Sequence, residues 1–117
     1  MTVLAEVIRG LSARDGVDAV VLSSADGLAI EHAAARPVEA ETVAALAATL
    51  AQHAGRLGVG AHRGVLATAM LEFADGSIIL SRVGTGDWLA ILVRADADVG
   101  ALLYDLRHHR AALGALL

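Results

Sequence analysis

Two carboxylates recur in the same setting, Asp26 in "SSADGLAI" (23–30) and Asp75 in "EFADGSII" (72–79). Brought into one cleft, they could work as general acid and general base. Asp-Gly between two strand-like runs is also the usual composition of a hairpin turn, because glycine supplies the positive φ a tight turn requires. The flanks of the two tripeptides do not otherwise match, so the repeat reads as turn geometry, not as chemistry or internal duplication.

The other chemical motifs are incomplete. "GTGDWL" (84–89) begins like a dinucleotide fingerprint, but Leu89 takes the third glycine position and the motif joins two strands instead of opening a helix. "GRLGVGAHRG" (55–64) is glycine-rich like a phosphate cradle, yet it follows a helix and lacks the Lys and Ser/Thr that complete one. None of the five histidines, at 32, 53, 62, 108 and 109, forms a helical i, i+4 ligand pair with another His or with a carboxylate-rich cluster. Tyr104, Asp105 and His108 share a helical face, and His53 and His62 flank the glycine loop. The serines at 12, 23, 24, 77 and 81 sit in no nucleophile elbow. With no Cys and no Lys, thiol catalysis, disulfides, Cys-type zinc sites and Schiff bases are excluded. No catalytic, cofactor or metal site is expected, and the chain reads as a non-enzyme.

The elements that would position these residues follow from periodicity. Leu4, Val7, Ile8 and Leu11 predict a helix over 3–13 with Thr2 as N-cap, ending near Asp15-Gly16. Strands are predicted over 17–24 and 28–34, joined by Asp26-Gly27 into a hairpin. A long helix opens at Glu39-Ala40-Glu41, where acids suit the positive end of the dipole, and runs to about Leu57. One stripe of it is Val43, Leu46, Leu50, Ala54 and Leu57; a second row, Ala44, Ala47, Ala48, Ala51 and Gly55, is small and uncharged. A helix apolar on most of its circumference is buried on more than one side. The stripe is expected to meet the sheet, and the small row to admit a second helix. Strands over 65–73, 77–83 and 88–94 follow, then a helix capped by Asp96 or Asp98.

Composition sets the frame. A chain of 117 residues is expected to form one domain. It is 56% hydrophobic with one Phe, one Trp and one Tyr, so its core is built of Ala, Leu and Val. Net charge is −4 with no basic run, which argues against nucleic acid as a partner. Glu6 and Arg9 interrupt the N-terminal apolar stretch, so neither a signal peptide nor a membrane span is expected and the reading is cytoplasmic. Abundant Ala, Gly and Arg without Lys points to a GC-rich bacterial genome.

"VLATAMLEF" (65–73) has no Pro, no Lys and no charge before Glu72, so at a sheet edge it would invite pairing with another strand. Residues 28–34 carry Glu31 and His32 and precede Pro37, which discourages it. A homodimer is therefore expected, with Val65, Ala67, Ala69 and Leu71 on the strand seam and Ala44, Ala47, Ala48 and Ala51 between paired long helices.

The chain resembles the Roadblock domain, the dynein light-chain family with bacterial and archaeal relatives. The resemblance rests on "GVDAVVLSSADGLAI" (16–30), "AALAATLAQHAGRLGVG" (44–60) and "GTGDWLAILVRADADVGALLYDL" (84–106) and spans nearly the whole chain. Trp88 is bulkier than the family pattern at the start of the last strand. The resemblance implies one five-stranded antiparallel sheet with helices on both faces, in the order α-β-β-α-β-β-β-α, and strand 65–73 at an edge. It implies function by association: a homodimer that binds a small Ras-like GTPase and modulates its nucleotide state, without cofactor or membrane insertion. Mapped onto this chain, the exposed contacts would be Thr42, Ala45, Thr49, Gln52, His53 and Arg56 with loop residues His62 and Arg63. An arginine supplied in trans can stabilise the transition state of GTP hydrolysis; for Arg56 and Arg63 the reading preferred is a solvated cation near a helix end. The alternatives are a structural adaptor indifferent to nucleotide and a small-molecule sensor. The sensor is disfavoured because no polar residues are expected on inward strand positions.

Overall fold

The computed structural model describes residues 2–117. Its elements are α1 (Val3–Ser12), β1 (Val17–Ser23), β2 (Ala29–Ala34), α2 (Ala40–Gly60), β3 (Thr68–Phe73), β4 (Gly76–Val83), β5 (Asp87–Val93) and α3 (Val99–Gly114). The five strands form one antiparallel sheet in the order β2-β1-β5-β4-β3. The expected order of elements is the observed one. β3 is an edge strand, as the resemblance implies, and β2 is the other edge.

The sheet separates two cores. On one face Ile8 of α1 and Leu102, Leu106 and Leu113 of α3 pack on Val20, Leu22, Ile79 and Ile91. On the other, the alanines of α2 pack on Val21, Leu80, Trp88 and Ala90. The alternation of side chains along each strand sends neighbouring residues such as Val20 and Val21 to opposite cores, so β1 and β5 are buried on both sides.

Local signals explain the boundaries. Thr2 caps α1 by accepting a hydrogen bond from the Ala5 amide at 3.0 Å. Of the two aspartates considered for α3, Asp98 is the cap, accepting from the Ala101 amide at 3.0 Å. Beyond it, Arg94 donates to Asp15 at 3.2 Å and Asp96 at 3.3 Å, tying the end of β5 to the α1–β1 turn. These bonds, that to Asp15 first, raise the guanidinium pKa above its ordinary value.

Both Asp-Gly pairs are turns. Gly27 has φ +87° and Gly76 φ +146°, and a Cβ on Gly76 would lie 2.4 Å from the Val93 carbonyl oxygen. Asp26 lies in the β1–β2 turn and Asp75 in the β3–β4 turn. The strand order and alternating directions put those turns at opposite edges and opposite ends of the sheet. The two carboxylates cannot share a cleft.

Three expectations are corrected. First, α2 runs through Gly58 and Gly60, three residues past Leu57. Second, β3 starts at Thr68, so Val65, Leu66 and Ala67 form an irregular approach, bent at Val65, and not strand. Third, the two faces of α2 are exchanged. Ala44, Ala47, Ala48 and Ala51 are buried against the sheet of their own chain, whereas Leu46 is 64% and Leu57 74% exposed. The reason is close approach: Ser23 of β1 donates to the Ala44 carbonyl at 3.0 Å, and Gly27 packs on the Ala45 backbone. A leucine at those positions would lift the helix off the sheet. The alanine row therefore has no surface to offer a second helix.

Candidate partner-binding surface

The outer face of α2 is an unpartnered apolar stripe. Leu46, Leu50, His53 and Leu57 follow one another at intervals of four, three and four residues, the spacing of a helix–helix seam. All four are exposed. Flanking them are Thr42, Ala45 and Thr49, also exposed, with the Thr49 hydroxyl turned back onto the Ala45 carbonyl at 3.0 Å.

Further along α2, Gln52 and Arg56 rim an open groove of about 470 Å³ between the helix and the approach to β3. Trp88 forms its floor, Val59 and Val65 add apolar wall, and Arg82 closes the far side. Arg82 is held there by donating to the Thr85 carbonyl at 2.7 Å. The groove suits an apolar side chain accompanied by an acidic one. Trp88, the residue that departs from the family pattern, is thus mostly buried beneath the surface in question.

α2 ends in a hydrogen-bonded reversal. The His62 amide donates to Val59 O at 3.1 Å and the Arg63 amide to Gly58 O at 2.8 Å, the double bond pattern of a Schellman motif. The residue that must be left-handed in that motif is His62, at φ +58°. It is the sole non-glycine with positive φ among the described residues. The turn aims Arg63 away from the α2 groove and into a second cavity with Arg107 and Arg110 of α3.

The eight sequence-predicted contacts therefore divide into groups. Thr42, Ala45, Thr49 and His53 lie on the outer helix face, Gln52 and Arg56 on the groove, and His62 and Arg63 on the turn. Arg82, Arg107 and Arg110 were missed. Arg107 and Arg110 are spaced to share one helical face, but nothing in the sequence says which loop that face meets. Buried serines were missed as well: Ser23, Ser77 and Ser81 occupy inward strand positions, contrary to the expectation of strands without inward polar groups.

The free edge of β3 completes this side of the molecule. The Arg82 amide donates to Ala67 O at 2.9 Å, which places Ala67 in a hydrogen-bonded pair with β4. In the antiparallel register, Ala69, Leu71 and Phe73 then also bond inward, while Thr68, Met70 and Glu72 turn their amides and carbonyls outward. Ala69 and Leu71 pack against the core on the α2 side of the sheet; Met70 is half exposed. No Pro or Lys blunts the edge. Among the described residues no group of three or more His, Asp or Glu could hold a metal ion, and no helix is long and apolar enough to cross a membrane.

Solved structures share the fold. A Roadblock/LC7 domain from Streptomyces avermitilis is 27% identical over 95% of this chain and 91% of its own, with a TM-score of 0.81. Myxococcus xanthus MglB is 18% identical, covering 99% of this chain and 95% of its own, with a TM-score of 0.90. A structure described as MglB with tetrameric arrangement is 15% identical over 99% of this chain and 91% of its own, with a TM-score of 0.86. No curated protein sequence matches the chain. The family model of the Roadblock/LC7 domain matches residues 3–93, which include the hairpin, α2 and all three later strands, and the chain belongs to the Roadblock/LC7 domain family.

Proposed function

We propose that the protein is a homodimeric, non-catalytic regulator that binds a small Ras-like GTPase and modulates its nucleotide state. The observation that carries this reading is the gathering of three unsatisfied features along one side of the molecule. They are the outward backbone of Thr68, Met70 and Glu72, the leucine stripe of α2, and the groove rimmed by Gln52 and Arg56. Membership of the Roadblock family supports association as the activity. The solved relative described as tetrameric supports self-assembly in its own case, and self-association of this chain is proposed on that likeness and on its free edge.

In the dimer, β3 pairs with its symmetry mate and Leu50 and Leu57 cover each other across the seam. Burying one leucine side chain is worth about 2 kcal/mol, so two per protomer give an apolar centre of useful strength. The surface left over α2, with Thr42, Ala45, Thr49, Gln52, His53 and Arg56, receives the GTPase. Arg56 meets an acidic side chain of the partner and does not act as a catalytic finger. The site is intracellular, where nucleotide-loaded GTPases are.

A pull-down from native lysate, run in parallel with a non-hydrolysable GTP analogue and with GDP, tests the reading. A small GTPase retained only with the analogue supports it, and Arg56→Glu should then weaken retention by about tenfold or more through loss of a charged pair. Equal retention in both lanes points instead to a structural adaptor. Hydrolysis abolished by Arg56→Ala with binding intact would restore the finger.

A further inference from the structure

We propose that Arg63, Arg107 and Arg110 form a site for a phosphate-bearing small molecule. It lies where the end of α2, the 61–67 segment and α3 meet beside the start of β3, in an open cavity of about 310 Å³. Three guanidinium groups line that cavity and no carboxylate does. The ion pairs among the described residues use Arg14, Arg36 and Arg94, so none of the three cavity arginines is ion-paired among those residues. In a protein of net charge −4 this concentration of positive charge is local, not a consequence of a basic surface.

The site is built, not incidental. Arg110 is half-buried and anchored: one terminal nitrogen donates to Thr68 Oγ1 at 2.7 Å and Ser81 Oγ at 3.4 Å. Ser81 is itself 1% exposed. The Nε of Arg110 is sealed from solvent without an acceptor. That nitrogen is closed to the cavity; the terminal nitrogen of Arg110 that does not bond Thr68 and Ser81 is the donor left for an oxyanion there. The backbone of Arg63 is held by the turn at His62, which places its side chain at the cavity.

Phosphate suits this set better than carboxylate. One carboxylate satisfies a single guanidinium fork and leaves two cations unneutralised, whereas a phosphate group presents more charge and oxygens to forks approaching from several directions. The cavity is larger than a pyrophosphate and open to solvent, so the bound molecule carries its organic part outward. The inference does not rest on the GTPase reading: the two cavities share only Val65 and Leu66, and none of the three arginines lines the α2 groove.

The test is thermal unfolding of the full chain with pyrophosphate as the probe, with succinate and potassium chloride at matched ionic strength beside it. Pyrophosphate at roughly ten times its Kd should raise Tm by about 5 °C, and the two comparison salts should not. Arg63→Gln and Arg107→Gln, both exposed and free of structural bonds, should fold normally and each weaken pyrophosphate binding by about tenfold or more. A pyrophosphate response unchanged in both variants, or no response at all, overturns the site. Succinate binding as tightly as pyrophosphate overturns the phosphate assignment.

Discussion

His62 holds a backbone conformation that a glycine would hold at no steric cost. It occupies the left-handed position of the Schellman motif ending α2. Replacing it with glycine removes the strain of a Cβ there, partly offset by the greater entropy an unfolded glycine loses. His62→Gly should therefore stabilise the protein by about 0.5 to 1 kcal/mol, seen as a higher urea midpoint at unchanged slope. A lower midpoint would mean the imidazole makes a compensating interaction. Gly76 shows the opposite case. Its φ is +146°, and an added Cβ would meet Val93 O at 2.4 Å. Gly76→Ala should cost about 2 kcal/mol in the same measurement, whereas Asp75→Asn, which keeps the turn, should cost almost nothing. A large loss from the aspartate change alone would restore a chemical role to that carboxylate.

At the scale of elements, β3 decides association. Proline lacks an amide hydrogen and is tolerated on an edge strand where that amide faces outward. The register makes Met70 such a position and Leu71 the reverse. Met70→Pro should leave the monomer folded, by circular dichroism, and raise the dimer dissociation constant by at least about tenfold. Leu71→Pro should disrupt the β3–β4 ladder and lower thermal stability outright. A Met70→Pro protein that remains dimeric in light scattering would exclude strand pairing as the seam and leave the α2 leucines as the candidate contact. The exchange of faces on α2 belongs to this scale too. Both rows were visible as apolar in the sequence, but close packing on a sheet selects alanine, and the larger leucines are what remain for another molecule.

For the molecule as a whole, a folded dimer in equilibrium with unfolded monomer must become more stable as it is concentrated. Tm should rise by about 3 °C for each tenfold increase in protein concentration. A Tm independent of concentration over two decades would mean that the chain folds and unfolds as a monomer. Element order, hairpin turns, helix caps and the family itself were legible in the chain, because each depends on residues within a few positions of one another. Thr2 and Asp98 cap as their types predict, and Asp26-Gly27 and Asp75-Gly76 turn as theirs do. The grouping of the candidate contacts was not legible. Gln52 and Arg56 reach one groove with Trp88 and Arg82, while Arg63 reaches another with Arg107 and Arg110.

By itself, then, the sequence determined periodicity, punctuation and the exclusion of thiol and lysine chemistry. It also determined that one strand has no Pro, no Lys and no charge before Glu72 to discourage pairing. Tertiary structure alone decided which row of α2 faces the sheet, which amides of β3 look outward, and which arginines share a cavity. The physical reason is range. Caps and turns are set by bonds between neighbours, but a helix face is chosen by the shape of what it lands on. Arg63 and Arg110 stand 47 positions apart (110 − 63) in the chain and line one cavity only because the sheet holds α2 and α3 on either side of the same edge.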